Sequence, residues 1–349
     1  MQEFFKFTET TPSLVITDVN RYYLTGFRSS LGYLFCFKGK LILYVDGRYI
    51  EAAEKGVNKG VEVRLFKKLA TAFIDMSDEF QVNSFALEED ISVRELNSIQ
   101  KISKGSYADP KLSNLLCDMR AIKTEKEVEL ICKAQATAEK AFEAVLNYIK
   151  PGITERQVQL FLEYQMQLVG AEGMSFETIV VSGVNSSLPH GVPTNKPIEN
   201  GDFVTMDFGA VYGGYCSDMT RTVAVGYATD EMQKVYETVL QAGESAIAKV
   251  KARVDASKVD DAARTVIENA GYGKYFNHST GHGVGIEIHE APNLSPSSRQ
   301  VLREGNIIAC EPGIYIPQKF GVRIEDMLLV TEKGSKNLTK TQKNLIIIK

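Results

Sequence analysis

The histidines of this 349-residue chain are concentrated in one segment. Three of the four, His278, His282 and His289, lie within residues 276–290, and the fourth is His190. Imidazole binds divalent metal ions and exchanges protons near neutral pH. The segment 276–290 is therefore predicted to belong to a metal site or to a site of proton transfer.

Glycines alternate with other residues in the same segment. Gly281, Gly283 and Gly285 flank His282 and Val284. If this run is extended, one of its faces carries no side chain, and His282 points to the opposite face. We therefore expect another group to approach the bare face closely.

Two aspartates can be placed from the sequence alone. Residues 203–209 and 216–225 have strand-like patterns, and Gly213-Gly214 between them suits a tight turn with positive φ. Centring the turn there pairs Asp207 with Thr220 and puts Asp207 and Asp218 on one face. Two like charges in apolar surroundings repel each other, and a divalent cation would neutralise them.

Two glutamates follow or interrupt apolar runs nearer the C-terminus. Glu311 follows the run 307–310 and is predicted to end a buried strand. Glu325 is predicted to lie inside a strand over 322–330, on the same face as Arg323. Four carboxylates and one imidazole would be neutralised by two divalent ions, and this donor mixture suits Mn²⁺, Co²⁺, Zn²⁺ or Fe²⁺. The predicted donors are Asp207, Asp218, His282, Glu311 and Glu325.

Composition narrows the class of protein. The length favours two domains, and the net charge of −4 with a pI near 5.8 argues against nucleic acid as the main partner. No apolar run reaches the ~18 residues of a membrane span, and residues 1–6 lack a secretory pattern, so we expect a cytoplasmic protein without membrane contact. The five cysteines are widely spaced without a CxxC pair, which predicts free thiols.

The pattern of predicted elements divides the chain into two domains. Strands, short turns and helices over 14–102 predict a small α/β domain, including a hairpin over 33–45 and a helix that a capping box opens at residues 92–95. The turn residues at 109–114 are the best linker. We therefore predict a non-catalytic domain over 1–117 and a catalytic domain over 118–349.

A pair of helices recurs in the second domain. Capping boxes at 124–127 and 154–157 open a long helix and a short one, and a second long and short pair is predicted over 229–254 and 257–270. If this pattern reflects an internal duplication, the domain has two pseudosymmetric halves with a site at their junction.

The ordered acidic and histidine motifs resemble those of a known family. Asp207, Asp218, His282 in Gly-His-Gly-Val-Gly, Glu311 in Glu-Pro-Gly and Glu325 in Arg-Ile-Glu-Asp are similar to the five metal ligands of Xaa-Pro aminopeptidases and prolidases. The resemblance covers nearly the whole chain. It implies an α/β and α+β fold: a small N-terminal creatinase-type α/β domain, followed by a C-terminal pseudo-twofold "pita-bread" domain like that of methionine aminopeptidase.

The resemblance also implies how the metal ligands are used. Asp218 and Glu325 would bridge two metal ions, Asp207 would bind one ion, and His282 and Glu311 would bind the other. A hydroxide that bridges the metals would attack the peptide carbonyl. The implied cofactor is a pair of divalent ions per subunit, with Mn²⁺ as the first choice and Co²⁺, Zn²⁺ or Fe²⁺ as alternatives.

Other positions match residues that act on the substrate in this family. Glu311 would accept the proton of the attacking water, and His289 would stabilise the oxyanion. His190 and His278 would hold the substrate and pass a proton to the proline nitrogen. The positions expected to orient the metal ligands are Thr220 and Arg323.

One departure from the prolidase pattern decides the predicted substrate. Prolidases cut dipeptides and often carry an arginine near the His289-Glu290 turn that binds the free carboxylate, but Asn293 stands there in this chain. The sequence therefore predicts an Xaa-Pro aminopeptidase that acts on peptides with proline at the second position. Xaa-Pro dipeptidase is the alternative, because Arg299 or a residue of a partner subunit could replace that arginine.

Three further functions are weaker alternatives. Methionine aminopeptidase leaves the first ~115 residues unexplained. Creatine amidinohydrolase has the same fold but lacks the five metal ligands. A non-catalytic binding protein on this fold usually loses ligands, whereas this chain retains all five matching residues. The resemblance also implies a homodimer.

Overall fold

A computed structural model describes all residues, 1–349. The chain divides into two compact units, Met1–Arg120 and Ala121–Lys349. The first unit contains a six-stranded sheet in the order β4-β3-β2-β1-β5-β6. Its strands are β1 (Ser13–Val15), β2 (Gly32–Phe37), β3 (Lys40–Val45), β4 (Val61–Leu65), β5 (Ala86–Leu87) and β6 (Tyr107–Ala108). Its helices are α1 (Gln2–Thr10), α2 (Asp18–Thr25), α3 (Ile50–Gly56), α4 (Leu69–Phe80), α5 (Val93–Ile102) and α6 (Pro110–Ala121).

Local sequence signals account for much of the first unit. The predicted hairpin is β2 and β3, which pair antiparallel from Gly32↔Val45 to Phe37↔Lys40 in the middle of the sheet. Both faces of this hairpin are buried, because apolar residues fill nearly every position. The capping box that opens α5 is present, with the Ser92 and Glu95 side chains bonded to each other's backbone N–H groups.

The predicted linker is wrong. Residues 110–121 form the helix α6, and the predicted domain limit between residues 117 and 118 falls within it. Proline fits the first position of a helix, where no N–H is needed. The Asp109 side chain also accepts a hydrogen bond of 2.8 Å from the Lys111 backbone N–H. The turn residues at this point therefore start a helix instead of a flexible connection.

The second unit has two larger sheets and two pairs of helices. The sheets have the orders β20-β12-β9-β8 and β14-β13-β15-β18-β19, and smaller sheets pair β11-β10-β7 and β16-β17. The first strands are β7 (Gly173–Met174), β8 (Ile179–Ser182), β9 (Phe203–Phe208), β10 (Ala210–Tyr212), β11 (Tyr215–Cys216), β12 (Met219–Val225) and β13 (Gly281–Gly283). The others are β14 (Glu290–Leu294), β15 (Ile307–Cys310), β16 (Gly313–Ile316), β17 (Phe320–Arg323), β18 (Asp326–Val330), β19 (Ser335–Asn337) and β20 (Ile347–Ile348).

The helices of the second unit repeat one arrangement. They are α7 (Glu125–Leu146), α8 (Glu155–Leu168), α9 (Asp230–Lys249) and α10 (Ala256–Asn269). The α7/α8 pair packs against β8, β9 and β12, and the α9/α10 pair packs against β15 to β18. The residue before each short helix forms a matching bridge, Thr154↔Pro197 and Asp255↔Val301. The second unit thus has the two similar halves that the recurring helix pattern predicts. None of the ten helices combines the length and apolar character that a membrane-spanning helix needs.

Candidate active site

The hairpin that carries Asp207 has the predicted register. Asp207 on β9 pairs with Thr220 on β12, and Gly213 and Gly214 have φ of +55° and +74°. Asp218 differs from the prediction, because it lies in the gap between β11 and β12 rather than within a strand. A Cβ at Gly209 would lie 1.9 Å from the Ser217 carbonyl oxygen. The two arms therefore approach too closely at this point for any residue but glycine at position 209.

The two glutamates lie at strand ends. Glu311 directly follows β15, as predicted. The continuous strand predicted over 322–330 is wrong: β17 ends at Arg323 and pairs with β16, whereas β18 begins at Asp326 and pairs with β15. Glu325 occupies the break, and its backbone N–H donates to the Thr220 carbonyl at 3.1 Å. The break thus brings Glu325 beside β12.

The glycine-rich segment forms β13, which holds His282. A Cβ at Gly281 would lie 1.9 Å from the Ala309 carbonyl oxygen, and one at Gly283 would lie 2.3 Å from that of Ala291. The group that approaches the bare face is therefore the backbone of the adjacent strands β14 and β15. This close packing holds the His282 backbone from both sides.

The predicted metal ligands converge. Donor atoms of Asp218, His282 and Glu325 lie within 4.8 Å of one another. His282 Nε2 lies 3.6 Å from Asp218 Oδ2 and 3.7 Å from Glu311 Oε1. Asp207 lines the same cavity of about 710 Å³ as these four residues. The fold therefore gathers all five residues from separate strand ends.

Two carboxylate oxygens in this cluster lack a partner. Arg323 Nη2 donates to Asp207 Oδ2 at 2.5 Å, and the Thr220 hydroxyl donates to Glu325 Oε2 at 2.7 Å. The other oxygens, Asp207 Oδ1 and Glu325 Oε1, are buried without a hydrogen-bond partner. A buried acceptor without a partner is costly for the fold. These oxygens fit a metal ion, which would take the lone pairs that no protein donor uses.

The electrostatics of the cluster favour the same conclusion. Burial raises the pKa of Asp218 and of Glu325 well above the usual range, and the neighbouring carboxylates raise both further. Burial also raises the pKa of Glu311 to about 7. Burial lowers the pKa of His282 to about 4, so its imidazole is neutral and able to bind metal at pH 7.

The charge balance of the cluster favours divalent cations. When ionised, the cluster carries four carboxylates against the single guanidinium of Arg323, which leaves three negative charges. One divalent cation neutralises only part of this charge. The donor set of four carboxylates and one imidazole suits oxygen-preferring and borderline divalent ions.

The predicted substrate-binding and proton-transfer residues surround the metal ligands. His190, His278, His289 and Arg323 line a smaller cavity of about 220 Å³ that shares Asp207, His282 and Glu311 with the larger one. The rings of His282 and His289 have centroids 4.4 Å apart. Each catalytic residue predicted from the sequence therefore lines at least one of the two cavities.

Tyr315 supports this group from behind. Its hydroxyl accepts a hydrogen bond of 2.8 Å from Arg323 Nη1 and lies 3.0 Å from His278 Nε2. Tyr315 itself lines neither cavity. Its contacts fix the positions of Arg323 and His278 instead.

Comparisons with known proteins agree with this geometry. Residues 129–332 match metallopeptidase family M24, and residues 11–122 match the creatinase/prolidase N-terminal domain. The chain belongs to metallopeptidase family M24. The predicted family, the two-domain fold with a C-terminal pita-bread domain and the class of enzyme, a metal-dependent peptidase, are thereby confirmed.

Several relatives of this M24 peptidase match along nearly their whole length. An Xaa-Pro dipeptidase of Pyrococcus horikoshii is 42% identical, with 95% of this chain and 93% of the relative covered. The structure of an Xaa-Pro dipeptidase from Bacillus anthracis has a TM-score of 0.94 and 37% identity, with 99% of both chains covered. The structure of an X-Pro aminopeptidase from Thermotoga maritima has a TM-score of 0.90 and 33% identity, with 97% and 98% covered.

Sequence interpretation missed the buried carboxylates that hold the histidine segments of this M24 peptidase. Asp260 accepts hydrogen bonds from the Thr280 backbone and hydroxyl at 3.0 and 2.8 Å. Glu290 pairs with Lys123 at 3.0 Å, with both side chains buried. Glu155 appeared in the sequence only as part of a capping box. No local pattern identifies these residues, because their partners are distant in sequence.

Proposed function

We propose that this chain hydrolyses Xaa-Pro peptide bonds with two divalent metal ions held by Asp207, Asp218, His282, Glu311 and Glu325. The observation that carries the proposal is the convergence of these residues on one cavity, where two buried carboxylate oxygens lack partners. When bound, the ions would supply positive charge that polarises the substrate carbonyl and lowers the pKa of water.

Residues around the metal ligands bind the substrate and transfer protons in this proposal. Glu311 is the proton acceptor, because its carboxylate faces both cavities. His289 lies beside His282 and would donate a hydrogen bond to the oxyanion. His190 and His278 would hold the proline side of the substrate and pass a proton to its nitrogen. Arg323 keeps Asp207 in place through their ion pair.

The preferred substrate in this proposal is an Xaa-Pro dipeptide. Relatives from two Pyrococcus species that are 42% and 41% identical are named Xaa-Pro dipeptidases, and the similarity spans 95% of this chain. This support outweighs the sequence argument from Asn293, which favours an aminopeptidase. Xaa-Pro dipeptidase therefore becomes the leading candidate.

The aminopeptidase remains the second candidate because of the residues that line the smaller cavity. Asn293 contributes a neutral side chain there, and Arg299 lines neither cavity. Arg323 also lines it, but its guanidinium nitrogens already donate to Thr220, Pro189, Tyr315 and Asp207. A free substrate carboxylate thus has no uncommitted guanidinium in this cavity.

Hydrolysis of Gly-Pro and Arg-Pro-Pro by metal-stripped protein refilled with Mn²⁺ separates the two candidates. A dipeptidase would cleave mainly Gly-Pro, and an aminopeptidase would cleave mainly the tripeptide.

The variant Asn293→Arg should increase the preference for Gly-Pro if a carboxylate binds at this position. Failure of folded protein to cut either peptide with Mn²⁺, Co²⁺, Zn²⁺ or Fe²⁺ would favour a non-catalytic binding protein.

We also propose Mn²⁺ as the metal, a homodimer as the assembly and the cytoplasm as the location. The donor set supports Mn²⁺, with Co²⁺, Zn²⁺ and Fe²⁺ as alternatives. Calorimetric titration of the stripped protein with each ion would rank their affinities and count the sites. Analytical ultracentrifugation at micromolar concentration tests the assembly, and a monomer alone would contradict the homodimer.

A further inference from the structure

One buried carboxylate has contacts that neither the metal site nor the helix cap explains. Glu155 is the first residue of α8 and is fully buried. Its Oε1 accepts hydrogen bonds from the Ser182 backbone N–H at 2.6 Å and hydroxyl at 3.0 Å. Its Oε2 accepts from the Thr194 backbone N–H at 3.0 Å and hydroxyl at 2.7 Å. The Asn185 side-chain amide lies 3.1 and 3.2 Å from the two oxygens.

The hydrogen bonds of Glu155 contact both ends of one segment, residues 182–194. Residues 182–194 leave β8, form a 3₁₀ helix at Gly183–Ser187 and continue without helix or strand. Residues 190–193 line the larger cavity, and His190 lines both cavities. A single carboxylate therefore links the two ends of the segment that carries His190, in addition to the backbone pairing of Ser182 with Val204 and the hydrogen bond from the Arg156 N–H to the Thr194 carbonyl.

The second half of the unit contacts the middle of the same segment. The Gly321 backbone N–H donates to the Ser186 hydroxyl at 2.9 Å. Arg323 Nη1 donates to the Pro189 carbonyl at 3.1 Å. The segment thus lies between Glu155 on one side and β17 on the other. Loss of the Glu155 contacts would remove the side-chain link between its two ends, while Ser182 stayed paired with Val204 on β9 and the middle stayed attached to β17.

Capping of α8 does not require Glu155. Thr154 and Gln157 already form the capping box that satisfies the first turn of this helix. All direct partners of Glu155 are uncharged. Lys196 Nζ donates to the Ser182 hydroxyl at 3.1 Å, but its ion pair is with Asp202 at 2.6 Å. Burial of a carboxylate without a paired cation costs free energy unless several hydrogen-bond donors satisfy its two oxygens. The donors to Glu155 belong to the His190 segment.

We propose that Glu155 is a positioning residue that sets the place of His190 in the cleft and thereby the affinity for the proline side of the substrate. The inference rests on the proposed function for its kinetic consequence. None of the five proposed metal ligands lies within 182–194, so the effect should fall on substrate binding and leave metal binding intact.

The variant Glu155→Gln tests the inference because it keeps the shape of the side chain. An amide has one acceptor oxygen, so its NH₂ group would face donors of either Ser182 or Thr194. We expect KM for the better of the two peptide substrates to rise about 10-fold or more. The change in kcat should stay below about 3-fold, because His278 is also placed to pass the proton in the proposed function. Mn²⁺ affinity measured by calorimetry should stay within about 2-fold.

Glu88→Gln is a matched control. Glu88 is also fully buried, and it accepts hydrogen bonds from Ile16, Thr17 and Asn20 in the N-terminal unit. Its loss removes a comparable set of contacts without touching the His190 segment. We expect KM to remain that of the wild type. An equal rise of KM in both variants would show a general loss of stability and overturn the inference.

A double-mutant cycle shows whether Glu155 acts through His190. His190→Ala should itself raise KM, and Glu155→Gln should add less than about 2-fold in that background, because the two residues act as one unit. Independent, multiplicative effects would contradict the proposal.

If Glu155→Gln does not fold, Thr194→Val removes only one of the donors to Glu155 and should give a smaller rise of KM.

Hydrogen exchange of the unliganded protein provides a readout without catalysis. The backbone amides of Ser182 and Thr194 should exchange faster in Glu155→Gln than in the wild type, and those of the N-terminal sheet should not. If the wild type cleaves no Xaa-Pro peptide, the proposed function fails, while this measurement still tests the positioning role. Unchanged exchange at both amides would overturn the inference in either case.

Discussion

At the scale of single residues, the proposed metal ligands lower the stability of the metal-free fold. Asp218 and Glu325 are buried beside other carboxylates, and Asp207 and Glu325 each keep one oxygen without a partner. Repulsion and desolvation both act against this arrangement, and metal binding relieves both. Substitutions that remove charge should therefore separate metal binding from folding.

Asp218→Asn should abolish metal binding without destabilising the metal-free protein. The amide removes one of the repelling charges, so we expect its metal-free unfolding midpoint to equal or exceed that of the wild type. Mn²⁺ at 100 times its Kd should stabilise the wild type by about 2.7 kcal/mol for each site filled and leave the variant unchanged. Urea unfolding with and without Mn²⁺ measures both effects, and a full Mn²⁺ shift in the variant would contradict the ligand assignment.

Arg323→Met should destabilise the fold strongly. Arg323 is buried and donates to Asp207, Thr220 and Tyr315. Removal of one partner of a buried ion pair leaves the other charge uncompensated, so the free energy of unfolding should fall by about 3–5 kcal/mol. Arg253→Met is the control, because its pair with Glu332 is exposed and should contribute less than about 1 kcal/mol. Similar losses in the two variants would contradict the burial argument.

At the scale of elements, contacts between residues close in sequence could be predicted from the sequence, whereas pairing between distant strands could not. Capping boxes placed the starts of α5, α7 and α8 correctly, because those contacts span three residues. The double glycine fixed the register of β9 against β12 in the same way. The break at Glu325 was not predicted, because β17 and β18 form one apolar run in the sequence but pair with different strands.

Gly281→Ala should disrupt the strand that holds His282. Its Cβ would meet the Ala309 carbonyl oxygen at 1.9 Å, and backbone on both sides cannot move without breaking strand pairs. Overpacking of this kind costs about 1–3 kcal/mol, so the free energy of unfolding should fall by at least that amount. Gly173→Ala is the matched control in β7, where nothing lies within 4 Å of the added Cβ. A Gly281→Ala protein as stable as this control would contradict the close approach.

At the scale of the whole molecule, the chemistry-bearing residues belong to one of the two units. All five proposed ligands and all four histidines lie within Ala121–Lys349, drawn from both of its halves. Asp207 and Asp218 come from the β9–β12 hairpin, whereas His282, Glu311 and Glu325 come from the second half. A metal ion bound by both sets would link the two halves directly.

Metal removal from the full-length protein should therefore loosen the junction of these halves before it affects the N-terminal sheet. We expect hydrogen exchange after chelation to accelerate first at β12, β13 and the residues around Glu325, since ligand loss releases the strand ends that the ions connect. Amides of the sheet over 13–108 should show smaller changes. Addition of Mn²⁺ should restore protection in proportion to site occupancy. Protection that changes first in the N-terminal sheet would contradict a metal site shared between the two halves.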